Sequence, residues 1–237
     1  MSNIVYGKNS FIEALNSNRI IKAYVLKDSS FIKELNDKKI DYEIVNKNKL
    51  DMLSKNGNHQ GCVAKTKEYK LSSLNKIIKK ENGLIVMLDG LKDPHNLGAI
   101  IRTCECAGVD GIIYKKHNSV HVNETVAKVA CGALEYVKVV EVNNLVSTID
   151  ELKKNGYWIV GTDGNSKTFY DELDYRTNIV LIIGSEGEGI SRLVKENCDF
   201  MVKLPMKGVI NSLNASVAAG IMIYEVLDKR KSYQVDD

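Results

Sequence analysis

Five segments of this chain are apolar almost throughout rather than on alternate residues: Leu84-Ile85-Val86-Met87-Leu88, Ile112-Ile113-Tyr114, Val137-Lys138-Val139-Val140, Trp158-Ile159-Val160 and Ile179-Val180-Leu181-Ile182-Ile183. A strand that is apolar on every residue buries both of its faces, which a sheet with one wet face does not require. Helical patterns lie between these runs, at Leu97 to Ala107, Glu124 to Leu134, Leu145 to Lys154 and Ser191 to Glu196. The alternation predicts an α/β domain whose parallel sheet is covered on both sides. A last strand, Phe200 to Leu204, leads through Pro205 into a closing helix. Its Leu213, Val217, Gly220, Ile221 and Tyr224 are expected to form the packed face.

The first 65 residues read as a small, separate α/β unit. Helix patterns at Phe11–Leu15 and Phe31–Leu35, preceded by Ser10 and Ser30 as caps, alternate with strand patterns at Lys22–Leu26 and Asp41–Val45. A short helix at Lys49–Leu53, a polar loop at Asn56–Gln60 and a closing strand at Gly61–Lys65 follow. Lys-rich residues 67–82 read as a linker, which divides the chain into 1–66, 67–82 and 83–237. Charge divides it too. Residues 1–80 hold 16 Lys+Arg against 8 Asp+Glu, a balance of +8, and the remaining 17 against 22 give −5. Such asymmetry points to a polyanion at the N-terminal part, although a merely solvated Lys-rich face has the same composition.

Other classes are disfavoured. No apolar run reaches the roughly 18 residues that span a bilayer, and the start lacks the basic-then-apolar order of a secretory signal. A cytoplasmic protein without a membrane partner is expected. The five cysteines, Cys62, Cys104, Cys106, Cys131 and Cys198, include no Cys-x-x-Cys pair, so reduced thiols are expected rather than a zinc or redox site. His117 and His121 have no metal-site partner nearby and read as a surface loop, so no metal is expected.

Three corners carry chemistry. Gly184-Ser185-Glu186-Gly187-Glu188-Gly189 follows the most apolar strand. A tight turn would need one glycine; three beside two glutamates suggest a backbone approached closely by a ligand. The spacing is neither that of a dinucleotide fingerprint nor that of a P-loop, and the cluster comes near the end of the domain instead of after its first strand. In the second corner Asn96 is positioned to cap the helix from Leu97. Arg102 follows it, with a planar fork of donors suited to phosphate or carboxylate. The third corner runs from Pro205-Met206-Lys207-Gly208 into Asn211-Ser212-Leu213-Asn214, where hydroxyl, amide and backbone N–H groups can bind a polar ligand edge. Asn has poor propensity for a helical first turn, which favours a functional reason for Asn214.

Read together, Asp93-Pro94-His95-Asn96-Leu97-Gly98 with Arg102-Thr103, Gly184-Ser185-Glu186-Gly187-Glu188-Gly189, and Pro205-Met206-Lys207-Gly208 with Ser212-Leu213-Asn214-Ala215-Ser216 resemble the three motifs of the SpoU (TrmH) family of RNA ribose 2′-O-methyltransferases. The resemblance covers roughly residues 84–230. Val5-Tyr6-Gly7 and His59-Gln60-Gly61 are similar to the RNA-binding domain of its rRNA-modifying branch. It implies an α/β fold with a deep trefoil knot in the C-terminal sheet domain, preceded by the small α/β RNA-binding domain, and a homodimer. It implies S-adenosylmethionine bound in the knot, with donor contacts around Gly184, Gly187, Leu204 and Leu213 and a further one at Thr162. Asn96, Arg102, Glu186, Ser212 and Asn214 match the family's catalytic set. No metal is implied. Leu204 stands where Ile is commoner, a mild departure. The family assigns the arginine a proton-accepting role as well, but a guanidinium with a pKa above about 12 is a poor base, and positioning the RNA phosphate suits it better.

The leading expectation is methylation of a guanosine ribose in large-subunit rRNA. A tRNA target is an alternative, disfavoured by the basic N-terminal unit. An RNA-binding assembly or resistance factor is another, disfavoured by the complete Asn96, Arg102 and Glu186 set. A nucleotide-binding protein unrelated to RNA fits poorly with the +8 of the first third.

Overall fold

The computed structural model describes residues 3–231, which fall into two compact units. The first is formed by the chain up to Lys70 together with Val122–Tyr136. It begins with β1 (Asn3–Tyr6), α1 (Lys8–Asn16), β2 (Ile20–Val25), α2 (Ile32–Asp37), β3 (Asp41–Ile44), α3 (Lys47–Leu53) and β4 (Cys62–Thr66). The sheet order is β1-β4-β2-β3. β4 runs antiparallel to both β1 and β2, and β3 lies parallel to β2. Phe11, Ala14 and Leu15 of α1 and Leu35 of α2 form one core with Val5, Ala23, Val25, Cys62 and Ala64 from the strands.

The helix starts differ from the expected serine caps. α1 begins at Lys8, with Gly7 at its cap position in a left-handed conformation, φ 86°. Gly7 turns the chain directly out of β1, a strand not anticipated, and the Lys8 N–H donates to Gln60 Oε1 at 2.9 Å. A distant amide thus does the work that a Ser10 cap would have done. Likewise α2 is preceded by Phe31, not Ser30.

The second unit is Leu71–His121 with Val137 onward. It contains β5 (Leu84–Asp89), α4 (Pro94–Cys106) and β6 (Gly111–Lys115). After the insertion into the first unit, which carries α5 (Glu124–Val129), come β7 (Val139–Val142), α6 (Leu145–Lys154), β8 (Trp158–Thr162), β9 (Thr168–Phe169), β10 (Ile179–Gly184), α7 (Arg192–Glu196), β11 (Phe200–Lys203) and α8 (Ala215–Arg230). The seven strands are ordered β7-β6-β5-β10-β8-β11-β9, and every pairing is parallel. One face buries Ile85, Met87, Ile113, Ile159, Val180 and Ile182 against Leu145, Ile149 and Leu152 of α6 and Val194 of α7. α8 packs with β10 and with α4, and α4 with β6. Leu97, Ile100, Ile101, Ala219, Met222 and Ile223 of these two helices are buried.

Three expectations change. The inward residues of α8 are Ala215, Ala219, Met222, Ile223 and Val226. The stripe expected to pack is exposed instead, with Val217 at 50%, Ile221 at 37% and Tyr224 at 53%. Of the expected stripe, Gly220 does stand against α4: a Cβ there would lie 4.0 Å from Thr103 Cγ2. Second, residues 71–78 of the linker stretch are docked: Ser72 N donates to Val139 O at 2.7 Å, and Ile77 is wholly buried against Gly111, where a Cβ would lie 2.4 Å from the isoleucine. Further along, Asn178 accepts from Gly83 N at 2.7 Å and donates to Lys80 O, while Arg230 donates to Asn82 O and Gly83 O.

Third, the helix expected over Glu124–Leu134 ends at Val129 and lies in the first unit, where α5 packs on β1. Cys131 and Gly132 both take positive φ, 51° and 96°. Gly132 is required there, because a Cβ would meet Glu13 at 2.3 Å. The following turn delivers Glu135 to Arg19 in an ion pair whose side chains are only 4% and 12% exposed. Arg19 also donates to Thr66 Oγ1 at 3.0 Å and Lys67 O at 2.6 Å, and stacks 3.5 Å over the Tyr69 ring. Burial pushes the Tyr69 phenol up to about 12. Glu135→Ala should lower stability to urea by about 3–5 kcal/mol, because a buried guanidinium loses its counter-charge. A change below about 1 kcal/mol would show that the pair contributes no more than a surface ion pair.

Candidate active site at the carboxyl edge of the parallel sheet

The chain leaves β5 outward to β6 and β7, then crosses back so that β10 lies on the other side of β5. Ligand crevices in open α/β sheets form at such a reversal, outside the carboxyl ends of the strands. Here the register sets Gly184, the last residue of β10, beside Asp89, the last of β5. The loop leaving β10 closes on itself: Ser185 N donates to Gly189 O at 3.1 Å and Gly189 N to Ser185 O at 3.0 Å. Gly189 holds φ 67°. At Gly184 a Cβ would stand 2.2 Å from the Gly189 carbonyl carbon, so only glycine permits this closure. Asp89 Oδ2 accepts from Ser191 N at 2.7 Å and anchors the loop's exit.

α4 starts earlier than expected, at Pro94, and Asp93 caps it by accepting from His95 N at 2.9 Å. That backbone N–H, joined by the His95 ring, holds the Asp93 carboxyl below its ordinary pKa. Asn96 is therefore not the cap. It lies in the first helical turn, 6% exposed. Its Nδ2 donates to Glu186 Oε1, and its Oδ1 accepts from Asn214 Nδ2 at 2.9 Å. Asn214 caps α8, its Oδ1 accepting from Ser216 N and Val217 N. The position that looked odd inside a helix is a cap after all, and its free amide hydrogen reaches the second corner. One hydrogen-bonded chain, Asn214 to Asn96 to Glu186, joins all three corners. Both amides have an assigned direction, because each uses oxygen and nitrogen on different partners.

Beside this chain lies a cavity of about 440 Å³. All five residues expected to touch a donor line it: Thr162, Gly184, Gly187, Leu204 and Leu213. Glu186 and Ser212 line it as well. Asn96, Asn214 and Arg102 are not among its lining residues; the first two adjoin it through Glu186, and Arg102 is an exposed residue of α4. Thr162 is oriented by donating to Ile182 O at 3.2 Å. Among the lining residues missed from sequence are the polar Asp163, Asn165 and Lys195. Asp163 pairs with Lys195 and accepts from Asn165 N at 3.0 Å. The Lys195 contact, reinforced by that N–H, lowers the Asp163 pKa. Asp163 and Asn165 stand just after β8, at the same edge as the glycine loop, which was the available signal; Lys195 reaches the cavity from α7.

Among the described residues no group of three His, Cys, Asp or Glu is arranged to hold a metal ion. No helix there is long and apolar enough to cross a membrane. Burial raises the Cys62 thiol to about 12 and Cys198 to about 11. His121 lies on an exposed loop, 3.3 Å from Glu141.

Gly184→Ala should weaken binding of S-adenosylhomocysteine at least tenfold by calorimetry, about 1.4 kcal/mol, because the loop bordering the cavity cannot close around a methyl group. Unchanged affinity would separate the loop from the cavity's ligand.

Comparison with known proteins matches both parts of the chain. Residues 83–224 match the SpoU rRNA Methylase family, and residues 4–72 match the domain described as RNA 2′-O ribose methyltransferase substrate binding. A protein of Staphylococcus aureus strain COL, described as a TrmH family tRNA/rRNA methyltransferase, is 43% identical over 96% of both chains. The SpoU methyltransferase AviRb from Streptomyces viridochromogenes, solved in complex with AdoMet, superposes with a TM-score of 0.86 at 25% identity, over 98% of this chain and 91% of that one. The A. aeolicus TrmH/SpoU tRNA modifying enzyme is 34% identical with a TM-score of 0.58, over 66% of this chain and 80% of its own. With its three corners joined at one sheet edge and both parts of the chain matched, this protein belongs to the SpoU rRNA methylase family.

Proposed function

We propose that the chain transfers the methyl group of S-adenosylmethionine to the ribose 2′-hydroxyl of a nucleotide, a guanosine, in large-subunit ribosomal RNA. The observation that carries the reading is the Asn214–Asn96–Glu186 chain beside a cavity lined by every residue expected to touch the donor. The cavity fits that donor chemically. Ile183, Leu204, Leu213 and Ala218 offer apolar surface for a purine, and Thr162, Asp163, Asn165 and Glu186 offer polar groups for a charged amino-acid tail. The bound donor supplies an electrophilic methyl on a sulfonium.

The protein's part is positioning. Asn96, held at both ends of its amide, keeps Glu186 at the cavity's edge, while Ser212 and Asn214 hold the ribose and the third corner. Arg102 grips the target phosphate and orients the hydroxyl; its guanidinium stays charged and does not serve as base. Alignment of this kind is worth about 7–11 kcal/mol in well-oriented reactions.

The first unit supports rRNA as target, since the tRNA modifying enzyme of A. aeolicus aligns with only 66% of this chain. A tRNA substrate is the second reading, favoured by that enzyme's 34% identity. The exposed stripe of Val217, Ile221 and Tyr224 supports a homodimer in which a second copy covers α8. The implied trefoil knot belongs to the same proposal, supported by three loops that converge at one edge of a parallel sheet. A cytoplasmic setting follows from an rRNA substrate.

Arg102→Ala should abolish methyl transfer and leave S-adenosylhomocysteine affinity within twofold, about 0.4 kcal/mol; full turnover would remove Arg102 from the reaction. Mapping 2′-O-methyl sites in total RNA from a deletion strain should show one lost large-subunit rRNA site. Loss confined to tRNA would replace the substrate, and loss nowhere would refute the activity.

A further inference from the structure

A second cavity opens on the other flank of the turn between β5 and α4. It measures about 340 Å³ and is lined by Lys92, Asn118, Ser119 and Val120. Resting on the reading above, we propose that it is the subsite for the sugar–phosphate of the nucleotide next to the methylated one.

Position comes first. β5 and β6 are neighbours in register, Leu88 beside Tyr114, so the turn carrying Lys92 and the loop carrying Asn118 leave the same carboxyl edge. The Lys92 turn also borders the glycine loop, since a Cβ at Gly90 would lie 3.8 Å from Ser185 Cβ. Asn96 follows Lys92 by four residues. An RNA strand with its target ribose at Asn96 and Glu186 therefore meets this cavity one step along.

The cavity's wall is held in place. Val120 N donates to Leu91 O at 2.7 Å, and Ser119 Oγ donates to the same carbonyl at 3.4 Å. Asn118 takes a left-handed φ of 59°, a conformation Asn tolerates, and its amide is exposed.

Charge points to RNA. Residues 81–237 total −5, yet this edge carries Lys92, Lys115 and Lys116. Its acidic neighbours are engaged: Asp93 by His95 and Glu141 by His121. Lys92 has no carboxylate partner among the described residues. An ammonium serves a phosphate as a compact point charge, and an amide beside a hydroxyl suits a ribose. Only Val120 is apolar in the lining, too little to anchor a protein partner.

The test uses the full-length protein and unmodified large-subunit rRNA transcript. Lys92→Gln removes the charge. Asn118→Gly removes the amide while keeping the left-handed backbone. Lys116→Gln makes the same charge change outside the cavity. Lys92→Gln and Asn118→Gly should each raise KM for RNA about fivefold with kcat within twofold, and Lys92→Gln should cut the slope of log affinity against log salt by about 1. S-adenosylhomocysteine binding should be unchanged, and Lys116→Gln should change KM by less than about twofold. Equal effects of Lys92→Gln and Lys116→Gln would reduce the edge to a diffuse field and overturn the subsite, as would an unmoved KM. A tRNA transcript is the parallel arm. A Lys92 effect seen only there supports the subsite and overturns the rRNA target instead.

Discussion

The parallel pairing of β5 with β10 is the constraint on which the rest of the second unit depends. It brings the ends of two strands that are 95 residues apart, Asp89 and Gly184, side by side. From that pair the chain departs in two directions: into the turn that starts α4, and into the loop that closes between Ser185 and Gly189. The site exists because those two departures face each other. Both strands are buried along their length, so the register is set by packing on two faces. A shift of one residue would turn every side chain to the wrong layer.

On this frame the polar chemistry is a short relay. Asn214 ends a loop and caps α8, Asn96 sits buried in α4, and Glu186 lies on the glycine loop. A buried amide costs free energy unless its donor and acceptor are both used, and Asn96 uses both. That requirement ties three elements distant in sequence into one arrangement. It also explains why Asn, rather than a better helix former, occupies the first turn of α4. The helix does not need the side chain for capping, since Asp93 already supplies that function.

The first unit is organised by a different constraint. Its sheet recruits a segment from far along the chain, and the Arg19–Glu135 pair, shielded by Tyr69, fastens that segment. A buried ion pair is a poor source of net stability, because desolvation offsets the attraction, but separating the partners would leave an uncompensated charge in the interior. The unit's boundary therefore follows contacts and not chain order. Charge asymmetry between residues 1–80 and the remainder could not reveal this, because Val122–Tyr136 carries only Glu124, Lys128 and Glu135, a net charge of −1.

The sequence by itself determined the fold class and the three corners. Strands apolar on every residue and glycine clusters at their ends are local patterns, and local patterns are written in neighbouring residues. Thr162, Gly184, Gly187, Leu204 and Leu213, which the family resemblance implies for the donor, all stand at strand ends or in the loops that follow, around one cavity. Tertiary structure alone decided that Asn96 is a relay and Asp93 the cap, that α8 turns Val217, Ile221 and Tyr224 outward, and that Glu124–Glu135 leaves the sheet domain. Each of these depends on which distant group satisfies a hydrogen bond or fills a space. A helical repeat shows that a face is apolar, but only the neighbour's shape determines which of two apolar faces is buried.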